Sequence, residues 1–344
     1  MLVNIANAQA QYGADVHIVL INKLYEQALL DRLDIRVKVH SLNRKLGSKS
    51  LFFIWQLNKE LRMIKPDKIH LHGPEFYAMI LNKDLRSKTG LTIHDLPINM
   101  QEHWSRWKTI TALMTCGIKY SIHLVRVIPK LFSISEAVRV KFQENYGVNS
   151  TVICNGILTA NFAQRTQDRA KRPYKLVQVS RLYHEKKGQD LLMEAVACMD
   201  DVEVSFIGDG ESMEYLKKLA SELRINQRVH FLGAQSQEYI SMHIKDYDLF
   251  VQPSRREGFG LTVAEAMAAN VPVLVSAGQG PAEITEGDMY GWVFENGDAK
   301  DLASMIKYIF SHYDEAMAKS EKAREHVRLN YDVSVTAKRY LEMY

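Results

Sequence analysis

At 344 residues and 47% hydrophobic content the chain can bury two cores of ordinary size, so two domains are expected and a disordered or low-complexity class is excluded. Its three cysteines, Cys116, Cys154 and Cys198, stand far apart without metal-ligand spacing, which argues against a disulfide framework and a zinc site and fits a reducing cytoplasm. The formal net charge of +4 divides unevenly: residues 1–160 carry 21 Lys and Arg against 12 Asp and Glu, or +9, and residues 161–344 carry 23 against 28, or −5. A basic first half implies an anionic partner there, such as a membrane surface or an acidic acceptor.

Met1–Tyr12 spaces its apolar residues as a helix that stops at Gly13, and a strand follows over Val16–Ile21. The chain thus begins inside a helix, whereas an α/β unit opens with a strand and a glycine-rich turn. Ile35–Val39 reads as a second strand, followed by a basic loop with Arg44, Lys45 and Lys49. Residues 51–65 read as a helix stopped by Pro66, and Lys68–Leu71 as the next strand, leading into His70-Leu71-His72-Gly73. The helix has two readings: an interfacial helix on anionic lipid, or a helix that packs Phe52 and Trp55 on the sheet while its charges face water. Leu91–Asp95 is an apolar strand ending in His94-Asp95, at the end of a parallel strand where open sheets bind ligands; His94 on its own equally fits a rim histidine. Trp104, Arg106, Trp107 and Lys108 form a second basic-aromatic patch. Leu131–Ser135 reads as a strand and Glu136–Tyr146 as a helix ended by Gly147.

No apolar run reaches the roughly 18 residues of a membrane-spanning helix, and no signal core opens the chain. Ala163–Lys175 is polar, charge-rich and aperiodic, which makes it the best linker. A βα rhythm then restarts: strands at Leu176–Ser180, Val202–Ile207 and Val229–Leu232 alternate with helices at Gly188–Met199, Glu211–Leu223 and Gln237–Lys245. Such alternation means parallel sheets. Late helices are expected over Asp301–Tyr313 and Ser320–Tyr344, the latter broken near residues 330–332. The first strand is followed by Arg181 and Lys187, the second by Gly208-Asp209-Gly210, and the third by Gly233. All lie at carboxyl ends of parallel strands and therefore converge on one crevice.

The densest stretch is Pro253–Asn270, between the apolar runs Leu249–Gln252 and Val271–Ser276: strand, glycine-rich loop, short helix, strand. Gly258 and Gly260 allow a close backbone approach, and the helix after them turns unpaired N–H groups and a positive dipole end toward that point, which suits a diphosphate. Glu257 and Glu265 can accept paired hydrogen bonds from sugar hydroxyls. Two plainer readings compete: Thr262 with Glu265 as a capping box, and Glu257 with Arg255 and Arg256 as a solvated surface pair. Together with Arg181 and Lys187, however, the stretch describes a site for a nucleoside diphosphate.

With these residues in view, the chain resembles the retaining glycosyltransferases of GT-B fold grouped as family 4. The resemblance is carried by Ser133-Ile134-Ser135-Glu136-Ala137-Val138, Asn155-Gly156-Ile157, Ser180-Arg181-Leu182 with Lys187-Gly188, Gly208-Asp209-Gly210, and Glu257-Gly258-Phe259-Gly260-Leu261 with Glu265-Ala266-Met267-Ala268. It implies two Rossmann-like, doubly wound parallel-sheet domains facing a cleft. Residues 1–162 would form the acceptor-binding domain and 163–325 the nucleotide-sugar domain, with 326–344 a helix crossing back to the first. By analogy Arg181 and Lys187 neutralise the donor diphosphate, and Phe259, Gly260, Leu261 and Thr262 at the helix start donate backbone N–H groups to it. Glu265 would bind the ribose, Glu257 the donor sugar or its phosphate, Gly208 and Gly233 the nucleotide through backbone, and His94 the donor sugar from the other domain.

The reaction implied is transfer of a hexose from a UDP-sugar, or a GDP-sugar as the alternative, to a glycan or lipid-linked acceptor in cell-surface polysaccharide synthesis. It would need no metal and no cofactor, and would take place in the cytoplasm or at the inner membrane face. Asp246-Tyr247-Asp248 looks like a metal-binding D-x-D but precedes an apolar strand and is read as a decoy. Family members begin with a strand and glycine-rich loop that this chain lacks, roughly 15 to 20 residues, so a catalytically weak remnant that only binds a nucleotide or partner is the alternative. A nicotinamide-dependent oxidoreductase is disfavoured, because no G-x-G-x-x-G opens a βαβ unit.

Overall fold

The computed structural model of the protein describes residues 1–23, 27–45, 47, 48, 50–94, 122–166 and 171–343. Lys49, Asp95 and the patch of Trp104, Arg106, Trp107 and Lys108 lie outside the described residues. The chain divides into two compact units, Met1–Cys154 with Val333–Tyr344, and Asn155–Asp332.

In the first unit, strands β1 (His17–Asn22) and β2 (Lys38–Arg44) form a parallel pair. Strands β3 (Ile69–Leu71), β4 (Thr89–Ile93), β5 (Lys130–Ser133) and β6 (Thr151–Val152) form a parallel sheet in that order. β4 is buried along its whole length, as an inner strand of a parallel sheet must be. The helix Glu136–Tyr146 starts at Ser135, whose side chain accepts from the Val138 N–H at 3.1 Å, and ends at Gly147 in the left-handed region. The helix Val333–Met343 buries Tyr340, whose hydroxyl lies 2.8 Å from Thr92 Oγ1.

Two expectations need correction here. The second strand is not at Ile35–Val39: Ile35 is 99% exposed, and residues 34–37 form a turn in which the Asp34 carboxylate accepts from the Arg36 N–H at 3.0 Å. The strand begins at Lys38 and takes in Arg44, expected in a loop, whose buried guanidinium stacks over the Phe53 ring at 4.7 Å. Nor does the helix Phe52–Ile64 pack Phe52 and Trp55 on the sheet. Its buried stripe is Phe53, Leu57 and Leu61, four residues apart, whereas Phe52 and Trp55 are 59% and 52% exposed and stack on each other at 5.2 Å.

The second unit is a six-stranded, all-parallel sheet. Its strands are β7 (Tyr174–Val179), β8 (Val202–Ile207), β9 (Val229–Phe231), β10 (Leu249–Gln252), β11 (Val273–Ser276) and β12 (Trp292–Phe294). They lie in the order β12-β11-β10-β7-β8-β9, so the chain runs outward from β7 in one direction and outward from β10 in the other. Leu176, Val204, Leu249, Val251 and Leu274 from the sheet pack with Leu192, Val196, Leu302 and Ile306 from the helices Gln189–Ala197 and Ala299–Ser311 in one buried cluster.

At the carboxyl end of this sheet, loops touch backbone to backbone. A Cβ on Gly188 would lie 2.0 Å from the Pro253 carbonyl oxygen, and one on Gly208 would lie 2.0 Å from that of Ser180; both glycines also have positive φ. Gly208→Ala is therefore expected to destabilise the protein by about 3 kcal/mol or more. Gly233→Ala, with positive φ but no atom within 4 Å of its Cβ position, should cost only about 1–2 kcal/mol. Urea unfolding of the two variants checks this, and equal losses would show that close approach is not the constraint.

Candidate active site

The reversal of strand order falls between the paired strands β7 and β10, and the loops that leave their carboxyl ends carry the candidate residues. After β7 the chain passes Arg181, forms the one-turn helix His184–Lys187, and leaves it through Gly188 at φ 68°. After β10 it runs through Pro253 to Gly260 and enters the helix Leu261–Ala268.

Lys187 Nζ pairs with Glu257 Oε2 across these two loops, with only 19% and 16% of the two side chains exposed. The Glu257 backbone is clamped on both sides, its N–H donating to Gln279 Oε1 at 3.1 Å and its carbonyl accepting from the Gly280 N–H at 3.0 Å. The reading of Glu257 as partner of the neighbouring arginines is overturned. Arg255 instead donates to both carboxylate oxygens of Asp190, at 2.8 and 2.9 Å, and to the His184 carbonyl at 2.8 Å. Arg181 is exposed, and its guanidinium has no ion-pair partner among the described residues.

The capping box is overturned as well. The helix Leu261–Ala268 has Gly260 as its N-cap, with no side-chain cap, so Thr262 sits inside the first turn rather than at the cap. The Val263 N–H donates to the Gly260 carbonyl at 3.0 Å, whereas the N–H groups of Leu261 and Thr262 have no acceptor among the described residues. Glu265 is 8% exposed and accepts from Gln237 Nε2 at 2.9 Å. Burial pushes its carboxyl from the ordinary 4.5 up to about 7, against the lowering effect of the Gln237 hydrogen bond. Phe259 is buried, its ring edge-on to Tyr331 at 5.7 Å, so it anchors the loop while its backbone leads into the helix. Gly208 donates its N–H to the Gly233 carbonyl at 2.8 Å, which ties the loops after β8 and β9 together.

His94 belongs to the first unit, at the end of β4. Its Nε2 lies 2.9 Å from His72 Nδ1, and the His72 ring stacks in turn on His70 at 4.7 Å. Burial lowers both His94 and His72, the latter to about 4, so both rings are neutral near pH 7. The D-x-D segment has protein partners: Asp248 is buried, with Arg165 Nη2 at 2.5 Å and the Lys175 N–H at 2.8 Å, and Asp246 accepts from His243. Sequence reasoning missed Gln237, Gln279 and Asp190, which hold the named residues in place. It also missed Gln178, although a buried amide inside the apolar run Leu176-Val177-Gln178-Val179 was a readable signal.

Residues 161–326 match the family model Glycosyl transferases group 1, and residues 1–161 match Glycosyltransferase Family 4. An uncharacterized glycosyltransferase of Haemophilus influenzae is 23% identical over 337 residues, 94% of this chain and 89% of that protein. The lipopolysaccharide core biosynthesis glycosyltransferase LpsE of Rhizobium meliloti is 29% identical over 159 residues, 46% of each chain, so the match spans about half of that relative. The crystal structure of Anabaena HepE in complex with UDP and glucose is similar at a TM-score of 0.77 and 20% identity, over 99% of this chain and 94% of HepE. The fold is GT-B, with two Rossmann-like domains built on parallel sheets.

A carboxyl raised by folding binds its proton more tightly in the native than in the unfolded protein, so its contribution to stability is complete below pH 4.5 and lost as pH rises through about 7. Across that window Glu265 should withdraw on the order of 3 kcal/mol. Glu265→Gln is expected to flatten this part of the stability–pH profile and to be more stable than the parent at pH 8. A variant whose profile parallels the parent's from pH 4.5 to 8 would show that Glu265 is not the buried titrating group.

Proposed function

From a chain built of a Glycosyltransferase Family 4 domain over residues 1–161 and a Glycosyl transferases group 1 domain over residues 161–326, we infer an enzyme that moves a hexose from a nucleotide diphosphate sugar to a glycan or lipid-linked acceptor, with retention at the anomeric carbon. The observation that carries this reading is the meeting of Lys187, Arg181, Glu257 and a side-chain-free helix N-terminus at the switch point between β7 and β10. The name of LpsE supports a role in cell-surface lipopolysaccharide or polysaccharide synthesis, and the UDP and glucose bound by HepE support UDP as the nucleotide, with GDP as the alternative.

Breaking the anomeric C–O bond builds negative charge on the leaving diphosphate and positive character on the sugar. Arg181 and Lys187 neutralise that leaving group, and the first-turn N–H groups of the helix Leu261–Ala268 add fixed donors that need no reorganisation. Glu257, drawn away from Lys187 by the competing diphosphate, accepts from donor-sugar hydroxyls, and Glu265 accepts from the ribose. The acceptor is deprotonated on the face from which the diphosphate leaves, with the donor phosphate as base. Charge neutralisation by side chains makes the transfer metal-independent.

Peripheral attachment to the inner membrane face follows from the exposed Phe52–Trp55 pair, with Lys59 Nζ 5.6 Å from the Trp55 ring centroid and a +9 surplus in residues 1–160. No helix among the described residues is long and apolar enough to cross a membrane.

Lys187→Ala is expected to lower turnover about 10²-fold or more at saturating donor, with a chelator leaving the parent's rate unchanged. Near-normal turnover in that variant would remove Lys187 from the reaction, and loss of activity on chelation would remove metal independence. Sedimentation with anionic vesicles at low salt is expected for the parent and reduced for Phe52→Ser with Trp55→Ser. A parent that ignores such vesicles defeats the membrane assignment.

A further inference from the structure

We propose that two buried glutamines, Gln178 on β7 and Gln189 at the start of the helix Gln189–Ala197, are positioning residues that set the spacing of the two cations of the donor site. This rests on the reading of Arg181 and Lys187 as the ligands of the donor diphosphate. Both glutamine side chains are fully buried. Gln178 Nε2 donates to the Lys187 carbonyl at 2.8 Å and to Ser180 Oγ at 3.3 Å. Gln189 Nε2 donates to the Arg181 carbonyl and to the same Ser180 Oγ, each at 3.0 Å. The segment that carries both cations is therefore held at its two ends by amide groups that share one hydroxyl.

The amide orientations are fixed by chemistry. Turning either group over would set Oε1 against a carbonyl oxygen. In the arrangement observed, each amide uses both of its N–H donors, while Oε1 of Gln178 and of Gln189 are buried without a hydrogen-bond partner among the described residues. A buried acceptor left unmet costs stability, and an aliphatic side chain of similar volume in the sheet interior would not carry that penalty. Two such amides aimed at the carbonyls of the cation-bearing residues thus fit a demand for geometry better than a demand for stability. The loop has no other freedom at this end: Gly188 follows Lys187 directly, and its Cβ position is 2.0 Å from the Pro253 carbonyl oxygen. Loop rotation would shift the ammonium of Lys187 and the guanidinium of Arg181 together, and the amides suppress it.

The prediction is selective loss of phosphate recognition. Gln178→Met, Gln189→Met and the double variant, of similar side-chain volume, are titrated with UDP by calorimetry and with uridine by ligand-observed NMR, beside Lys187→Ala. Uridine affinity is expected within twofold of the parent in every variant. UDP affinity is expected to fall tenfold or more in the double variant and in Gln178→Met, and less in Gln189→Met, because the Arg181 carbonyl also accepts from the Tyr183 N–H at 2.9 Å. Parental UDP affinity in the double variant, or equal weakening of UDP and uridine, would overturn the positioning role while Lys187→Ala still loses UDP. If Lys187→Ala keeps parental UDP affinity, or if the parent binds neither UDP nor GDP, the reading of the cations falls and takes this inference with it. Should the double variant fail to fold, Gln178→Met alone decides: parental UDP affinity there overturns the positioning role.

Discussion

The constraint on which the second unit depends is the contact of bare backbone between loops at the carboxyl edge of its sheet. Gly188 lies on the Pro253 carbonyl, Gly208 on that of Ser180, and Gly280 on that of Gly258, each closer than any side chain would permit. Loops that interlock in this way cannot move independently, so the loops after β7, β8 and β10 behave as one rim. Rigidity of that kind turns a set of charged side chains into a site, because catalysis by fixed charges needs donors and cations that hold their places when the leaving group develops its charge. The reversal of strand order between β7 and β10 then decides where on the rim a ligand has room.

The electrostatics of the rim are arranged around a shortage of water. Lys187 and Glu257 neutralise each other while four-fifths or more covered, and Asp190 neutralises Arg255, whose side chain is 32% exposed. Each pairing leaves few unmatched buried charges, which would be far more costly than the pair itself. Arg181 is different, exposed and without an ion-pair partner among the described residues. Glu265 meets the same shortage by holding its proton up to about pH 7. The Gln237 amide is thus hydrogen-bonded to a carboxyl that changes charge near neutrality.

Much of the fold was legible in the sequence where pattern and punctuation agreed. Ser135 and Gly147 bracket a helix whose limits follow from capping alone, and Val202, Val204 and Phe206 recur two residues apart with Glu203 and Ser205 between them, the period of a strand. Residues 34–37 misled because Ile35, Val37 and Val39 alternate as a strand would, while Asp34 closes a turn by bonding to Arg36, a local choice that alternation cannot reveal. Arg44 was hidden for the opposite reason, since a guanidinium over an aromatic ring lets a charged residue end a strand in the interior. In the candidate site, the residue types and their place at the carboxyl ends of β7 and β10 could be read, but their hydrogen-bond and ion-pair partners could not. Thr262 and Glu265 have capping-box spacing, and only the position of Gly260 at the N-cap shows that the box is not made.

On the proposed reading, the ion pair of Lys187 with Glu257 links the two halves of the donor chemistry. A diphosphate approaching the rim competes with Glu257 for the same ammonium, and it brings more negative charge than one carboxylate, so the exchange is favourable only where the displaced carboxylate finds new donors in a partly buried setting. The hydroxyls of a sugar attached to that diphosphate are such donors, several in number and held in place by the bound phosphate. With Lys187 and Glu257 in the roles proposed for them, the rim would discriminate between an anion and a glycosylated anion. On the proposed reading, the cation selects the phosphate and the carboxylate released by that selection requires the sugar.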